Sequence, residues 1–120
     1  PIFLPSVANF FHGLIVNLFL TIKDFKKESS FFEIESFFIN YYQDQQFIKV
    51  NFDNNFELTD GFYKPNLLIN SNNVEINFFK NVNSGQLIIS TNFDNLGKGA
   101  SAAAVQCMNL RFGFDEKLGL

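Results

Sequence analysis

The chain has 120 residues, 47% of them hydrophobic and 18% charged, with a formal net charge of -3 at neutral pH. That length supports one small domain with its own core, and the acidic balance leaves no basic footprint for nucleic acid. One cysteine excludes an intrachain disulfide, and a single histidine beside it offers no metal-ligand cluster.

From Gly13 to Ile22 the side chains alternate, with Leu14, Val16, Leu18, Leu20 and Ile22 on one face and Ile15, Asn17, Phe19 and Thr21 on the other. This pattern predicts a strand with one fully apolar face. The surrounding apolar stretch, Phe10 to Ile22, is shorter than the roughly 20 residues a bilayer span requires, so no membrane association is expected. Lys23 to Glu28 is a charged connector. Ser30 and Glu33 then have the spacing of a capping box, in which two orphan amide donors are satisfied reciprocally. Phe31, Ile34, Phe38, Tyr41 and Tyr42 follow at three- and four-residue steps and predict a helix with an apolar stripe, assigned to the core.

Phe47 to Val50 reads as a short strand, and Asn51 to Asn66 as a polar loop punctuated by Gly61 and Pro65. Leu67 to Ile69 and Val74 to Phe79 read as strands split by an Asn-rich turn; Gln86 to Asn92 returns through Asn83, Ser84 and Gly85. The eighteen Phe are assigned to core positions and the many Asn to loops. The order of strand, helix, several strands and helix predicts an α+β fold, a mixed sheet covered by helix on at least one face.

The last segment, Phe93 to Gly113, reads FDNLGKGASAAAVQCMNLRFG. Asp94 or Asn95 can serve as N-cap, Gly97 and Gly99 permit close backbone approach, and Lys98 puts a positive charge beside the first-turn amides. The physics leaves two readings open: an ordinary capped helix with a solvated lysine, or a helix start that receives an anionic ligand. The helix from Ala100 to Phe112 has little polar surface and expects cover on most sides.

The residues Asp94, Asn95, Leu96, Lys98, Gly99 and Ala100, followed by Ala104, Val105, Gln106, Asn109, Phe112 and Gly113, resemble the C-terminal signature of the N-acetyl-gamma-glutamyl-phosphate reductase family. The turn and the AVQ that follows are shared with aspartate-semialdehyde dehydrogenase; the tail NLRFGFDEKLG favours the reductase. Phe3 to Val16, FLPSVANFFHGLIV, resembles the family's loop leading into a substrate-domain strand, with Ser6 where many members have His and His12 where Arg or Gln usually precedes Gly13. Phe47 to Val50 resembles a short family strand.

The resemblance implies a C-terminal fragment of a longer cytoplasmic, homo-oligomeric enzyme that uses NADP and an acyl-phosphate substrate. Residues 1–92 would belong to the substrate-binding and dimerisation domain, and residues 93–120 to a turn and helix packing on the nucleotide-binding domain. The nucleophilic cysteine and the acid-base histidine would lie before Pro1, so this chain alone is expected to be inactive. Asn95, Gly97, Lys98 and Gly99 become cofactor-binding candidates, with Asn95 toward the nicotinamide carboxamide, and His12 a substrate-binding candidate. Cys107 is assigned as a buried structural thiol, and Ser6 has no neighbouring base. Alternatives are an aspartate-semialdehyde dehydrogenase fragment and a non-catalytic dimerisation or binding module.

Overall fold

The computed structural model describes residues 2–25, 30–52 and 62–120. Four strands form one mixed sheet: β1 Leu14–Thr21, β2 Ile48–Asn51, β3 Val74–Asn81 and β4 Gln86–Phe93, in the spatial order β1-β4-β3-β2. β4 runs antiparallel to both β1 and β3, while β2 adds parallel to β3. Helix α1, Phe31–Tyr42, links β1 to β2, and helix α2, Ala102–Phe112, follows β4 after a π-helical turn at Gly97–Ser101. The α+β fold with a helix-covered mixed sheet is the one the pattern predicts.

α1 starts where the capping box places it. The Ser30 hydroxyl accepts from the Glu33 amide at 3.2 Å, and the Ser30 amide donates to Glu33 Oε2 at 2.8 Å. Its inner stripe carries Ile34 and Phe38 onto Ile76, Phe78, Leu87 and Ile89, which all project from one face of β3 and β4. Phe38 meets Phe78 edge to face at 4.9 Å between centroids, a geometry aromatic pairs favour. Glu35 Oε1 accepts from Lys80 Nζ at 2.6 Å and ties α1 to β3.

The apolar face expected of β1 is present but only partly covered: α1 lies toward β2, at the far edge of the sheet, so Val16 and Leu18 remain 51% and 52% exposed. One expectation needs correction. Leu67 to Ile69 is turn rather than strand; Asn70 takes a left-handed φ of 59° and the Ser71 hydroxyl donates back to the Leu68 carbonyl at 2.8 Å, which closes the chain on itself before a strand can extend. The predicted loop Asn51 to Asn66 lies largely outside the described residues.

The Asn and Phe assignments also change. Asn51, Asn77 and Asn92 are strand residues buried on the sheet face opposite α1, with Ser90 among them. The register sets Asn17, Ser90, Asn77 and Asn51 in one row across all four strands. Asn51 Nδ2 donates to Asn77 Oδ1 at 2.8 Å, Asn77 Nδ2 donates to the Tyr63 hydroxyl, and Asn92 Nδ2 donates to the Lys64 carbonyl at 2.9 Å. Buried amides are tolerated when paired in this way. Burial in this polar layer pushes the Tyr63 hydroxyl pKa up, partly offset by hydrogen bonding with Asn77. Many Phe, by contrast, face outward: Phe3, Phe11, Phe19, Phe32, Phe37 and Phe112 are all exposed.

Candidate functional site

The register of β1 against β4 assembles the site. Leu14 pairs with Phe93 at the end of the ladder, so the chain entering β1 and the chain leaving β4 must emerge side by side. His12 and Gly13 therefore meet Asp94 and Asn95, partners 82 positions apart in sequence.

Asp94 is the centre of this arrangement and is only 2% exposed. Its Oδ1 accepts from the Leu96 amide at 2.9 Å and its Oδ2 from the Asn70 amide at 2.8 Å. His12 Nδ1 lies 3.1 Å from both carboxylate oxygens; an ionised carboxylate only accepts, so Nδ1 carries the proton. Burial by itself would raise the Asp94 pKa, but donation from the Leu96, Asn70 and Gly97 amides and from His12 outweighs it and holds the group at about 2.

The sign of the resulting pH effect is fixed. The folded value of about 2 lies below the ordinary 3.8, so Asp94 contributes stability that is fully present above the unfolded value and is lost as pH falls through the folded one. Unfolding midpoints are expected to drop between about pH 4 and pH 2, and Asp94→Asn is expected to flatten that part of the profile. Denaturant titrations across this range check it; a drop of equal size in the variant would remove Asp94 as its source.

Neither of the two possible caps takes that role: Leu96 precedes the π-helical turn and Ser101 precedes α2, both without a side-chain cap hydrogen bond. Asp94 instead braces the turn two residues on through the Leu96 amide. Asn95 Oδ1 accepts the Gly13 amide at 2.7 Å, which commits its oxygen to the loop before β1. Its NH2 has no partner among the described residues and is left as a donor. Beyond it the helix begins loosely: the Gly99 amide donates to the Asp94 carbonyl at 2.9 Å and the Ser101 amide to the Leu96 carbonyl at 3.2 Å. Only from Ala102 does the α-helical pattern take over.

Gly97 and Gly99 are small for a visible reason. A side-chain carbon at 97 would lie 3.0 Å from the Ser71 carbonyl oxygen and 3.1 Å from Asp94 Oδ2; one at 99 would lie 3.2 Å from the Phe93 ring. Both amides are spent on Asp94, so these glycines allow close approach rather than supply donors.

Lys98 is not a freely solvated lysine but is partly buried. Its Nζ donates to Gln106 Oε1 at 2.5 Å and sits 5.5 Å from the centre of the Phe47 ring, a cation–π contact. Burial lowers its pKa, and the Glu116 carboxylate acts against that. Gln106 Oε1 also accepts from Asn72 Nδ2 at 2.9 Å, while Gln106 Nε2 donates to Glu116 Oε1 at 2.6 Å. This network docks α2 against the turn before β3. Asn109, wholly buried, fastens the tail through Nδ2 to the Glu116 and Leu118 carbonyls at 3.2 and 2.8 Å.

The remaining candidates separate. Ser6 lies exposed in the extended opening segment. Cys107 is exposed rather than buried, because the side of α2 that carries it has no cover within this chain. Among the described residues no group of three or more His, Cys, Asp or Glu could hold a metal ion, and no helix is long and apolar enough to cross a membrane. Sequence reasoning missed Asp94 as more than a cap; the cue was the pairing of two short polar motifs flanking strands that could become neighbours. A cavity of about 260 Å³ opens between Asn70, Ser71, Asn72, Gly97, Ser101 and Val105. It falls below the roughly 300–1,000 Å³ of ligand pockets and cannot enclose a dinucleotide by itself.

Comparison with known proteins identifies the family. A model of the family described as semialdehyde dehydrogenase, dimerisation domain, matches residues 1–95. N-acetyl-gamma-glutamyl-phosphate reductase of Trichormus variabilis is 36% identical over 100% of this chain and 38% of its own length. N-acetyl-gamma-glutamyl-phosphate reductase 2 of a Nostoc species gives the same identity and coverage. The reductase of Ruthia magnifica is 36% identical over 99% of the chain and 31% of its own length. The chain thus spans about a third of the length of these relatives.

Proposed function

The chain belongs to the semialdehyde dehydrogenase dimerisation-domain family, and from that premise we propose that it serves within an NADP-dependent N-acetyl-gamma-glutamyl-phosphate reductase. The reaction is the reduction of N-acetylglutamyl 5-phosphate to the semialdehyde, a step of arginine biosynthesis in the cytoplasm. The observation that carries the reading is the joining of the two segments that resemble this family: His12 and Gly13 are hydrogen-bonded to Asp94 and Asn95.

The residues present fit part of a nicotinamide site. The unpartnered Asn95 NH2 would donate to the carboxamide oxygen, and Gly97 and Gly99 let the turn come close without steric obstruction. Lys98 fits a phosphate-binding role less well, since its ammonium is engaged by Gln106 and Phe47. When bound, NADPH supplies the hydride. The nucleophilic cysteine and the acid-base histidine are assigned to residues outside this chain.

Residues 93–120 read as the element that packs on the nucleotide-binding domain, supported by the exposed Met108, Leu110 and Phe112 on α2 and by a family match that stops at residue 95. The uncovered apolar face of β1 is assigned to contact with a second copy, as a family of dimerisation domains implies. The test is expression of the complete reading frame that carries this sequence, followed by assay of phosphate-dependent NADP reduction with N-acetylglutamate semialdehyde. Turnover is expected there and none from residues 1–120 alone. Activity confined to aspartate semialdehyde would overturn the assignment.

A further inference from the structure

We propose that Asp94 is a positioning residue that couples the loop before β1 to the turn at 94–99, with His12 acting through Asp94 rather than as a substrate ligand. The inference rests on the functional reading above but is carried by geometry of its own. Three segments distant in sequence converge on one carboxylate: His12 by Nδ1 at 3.1 Å, Asn70 by its amide at 2.8 Å, and Leu96 at 2.9 Å with Gly97 beside it.

None of these segments is held in place by a regular ladder. Residues 11–13 precede β1, residues 65–70 are turns, and 97–101 form a π-helical turn. Asn70 is the one described non-glycine residue with positive φ, a conformation that persists when surrounding structure over-determines it, and its amide ends on Asp94. The Ser71 carbonyl then sets the wall against which Gly97 fits. Because these donors share one carboxylate, displacement of any one of them shifts the acceptor that the other two use. Asn95 would lose its orientation with them, since its oxygen is tied to Gly13, the neighbour of His12.

The imidazole is committed at one of its nitrogens. His12 keeps only 17% of its side-chain surface exposed, and Nδ1 is spent on a carboxylate with 3% of its side chain exposed. A histidine so held transmits position through Nδ1 and leaves only Nε2 for any other partner.

The test uses the enzyme from the complete reading frame, with hydrogen exchange at peptides covering 65–72 and 94–101 and steady-state kinetics. His12→Ala is expected to speed exchange at both peptides and to raise KM for NADPH by roughly tenfold, the scale of a lost hydrogen bond to a charged group, with KM for the acyl phosphate little changed. His12→Asn places an amide N–H near the position of Nδ1 and is expected to restore both readouts to within about twofold. Asp94→Asn, which turns a donor toward the backbone amides, is expected to exceed His12→Ala in both. Should Asp94→Asn not fold, the two His12 variants decide the matter alone. A rise confined to KM for the acyl phosphate, no rescue by Asn, or unchanged exchange would overturn the proposal and make His12 a substrate contact. An unmutated enzyme without reductase activity would overturn the functional reading, while the exchange measurements would still decide the role of Asp94.

Discussion

Replacing Gly13 by alanine is expected to destabilise the fold by about 3 kcal/mol or more, at the upper end of what single substitutions do. Two costs combine. Gly13 has φ +116°, where a side chain is strained whatever the available space, and the added carbon would lie 2.4 Å from the Pro65 carbonyl oxygen and 3.0 Å from Asn66 Cα. Backbone atoms cannot rotate away as a flexible side chain would, so either the turn at 65–66 or residue 13 must shift. A shift at 13 breaks the 2.7 Å bond from its amide to Asn95, so stability and the candidate site fail together. Gly113→Ala is the internal control: φ is +73° there and nothing lies within 4 Å, leaving only a left-handed penalty of about 1–2 kcal/mol. Equilibrium denaturation of both variants checks the difference. Equal losses would show that the backbone around Pro65 yields without cost.

Phe78→Ala is expected to cost about 3–5 kcal/mol, the usual range for deleting a fully buried Phe. Phe78 is 2% exposed and packs between Phe38, at 4.9 Å, and Phe52, at 4.5 Å between ring centres. The hole would open under α1 between Phe38 and Phe52, and collapse could close it only by moving the helix. Phe32→Ala, on the outer side of α1 at 74% exposure, is expected to stay within about 0.5 kcal/mol of the parent. Urea titrations of the pair measure the contrast. Similar losses for both would mean that the outer aromatics of α1 are covered in the folded protein.

Those two phenylalanines show how unevenly the sequence could be read. Periodicity and capping located α1, β1, β3 and β4 to within a residue or two, because each carries a local signal: the Ser30 and Glu33 box, or strict alternation across a pleat. The signature at 94–113 and the loop at 3–16 named the family for the same reason, being contiguous patterns. Local signals could not say which of eighteen Phe meets a partner, since a strand face is apolar in sequence whether or not a helix reaches it. The stretch at Leu67 to Ile69 looked like a strand because three apolar residues in a row satisfy that pattern too, and only Asn70 in its left-handed conformation turns them away.

The amino-acid sequence by itself determined the α+β class, the ends of the main elements, the family resemblance and the two motifs that flank the site. The tertiary structure alone decided that Asp94 is a hub, that Lys98 turns inward onto Phe47 and Gln106, that Cys107 is exposed, and that Asn51, Asn77 and Asn92 are buried in the sheet. The reason is one of range. Capping and alternation depend on neighbours a few residues apart, whereas the contacts of His12 with Asp94 depend on β1 and β4 choosing one register, with Leu14 opposite Phe93. A slip of a single residue would have sent every alternating side chain to the other face and left that carboxylate without its histidine.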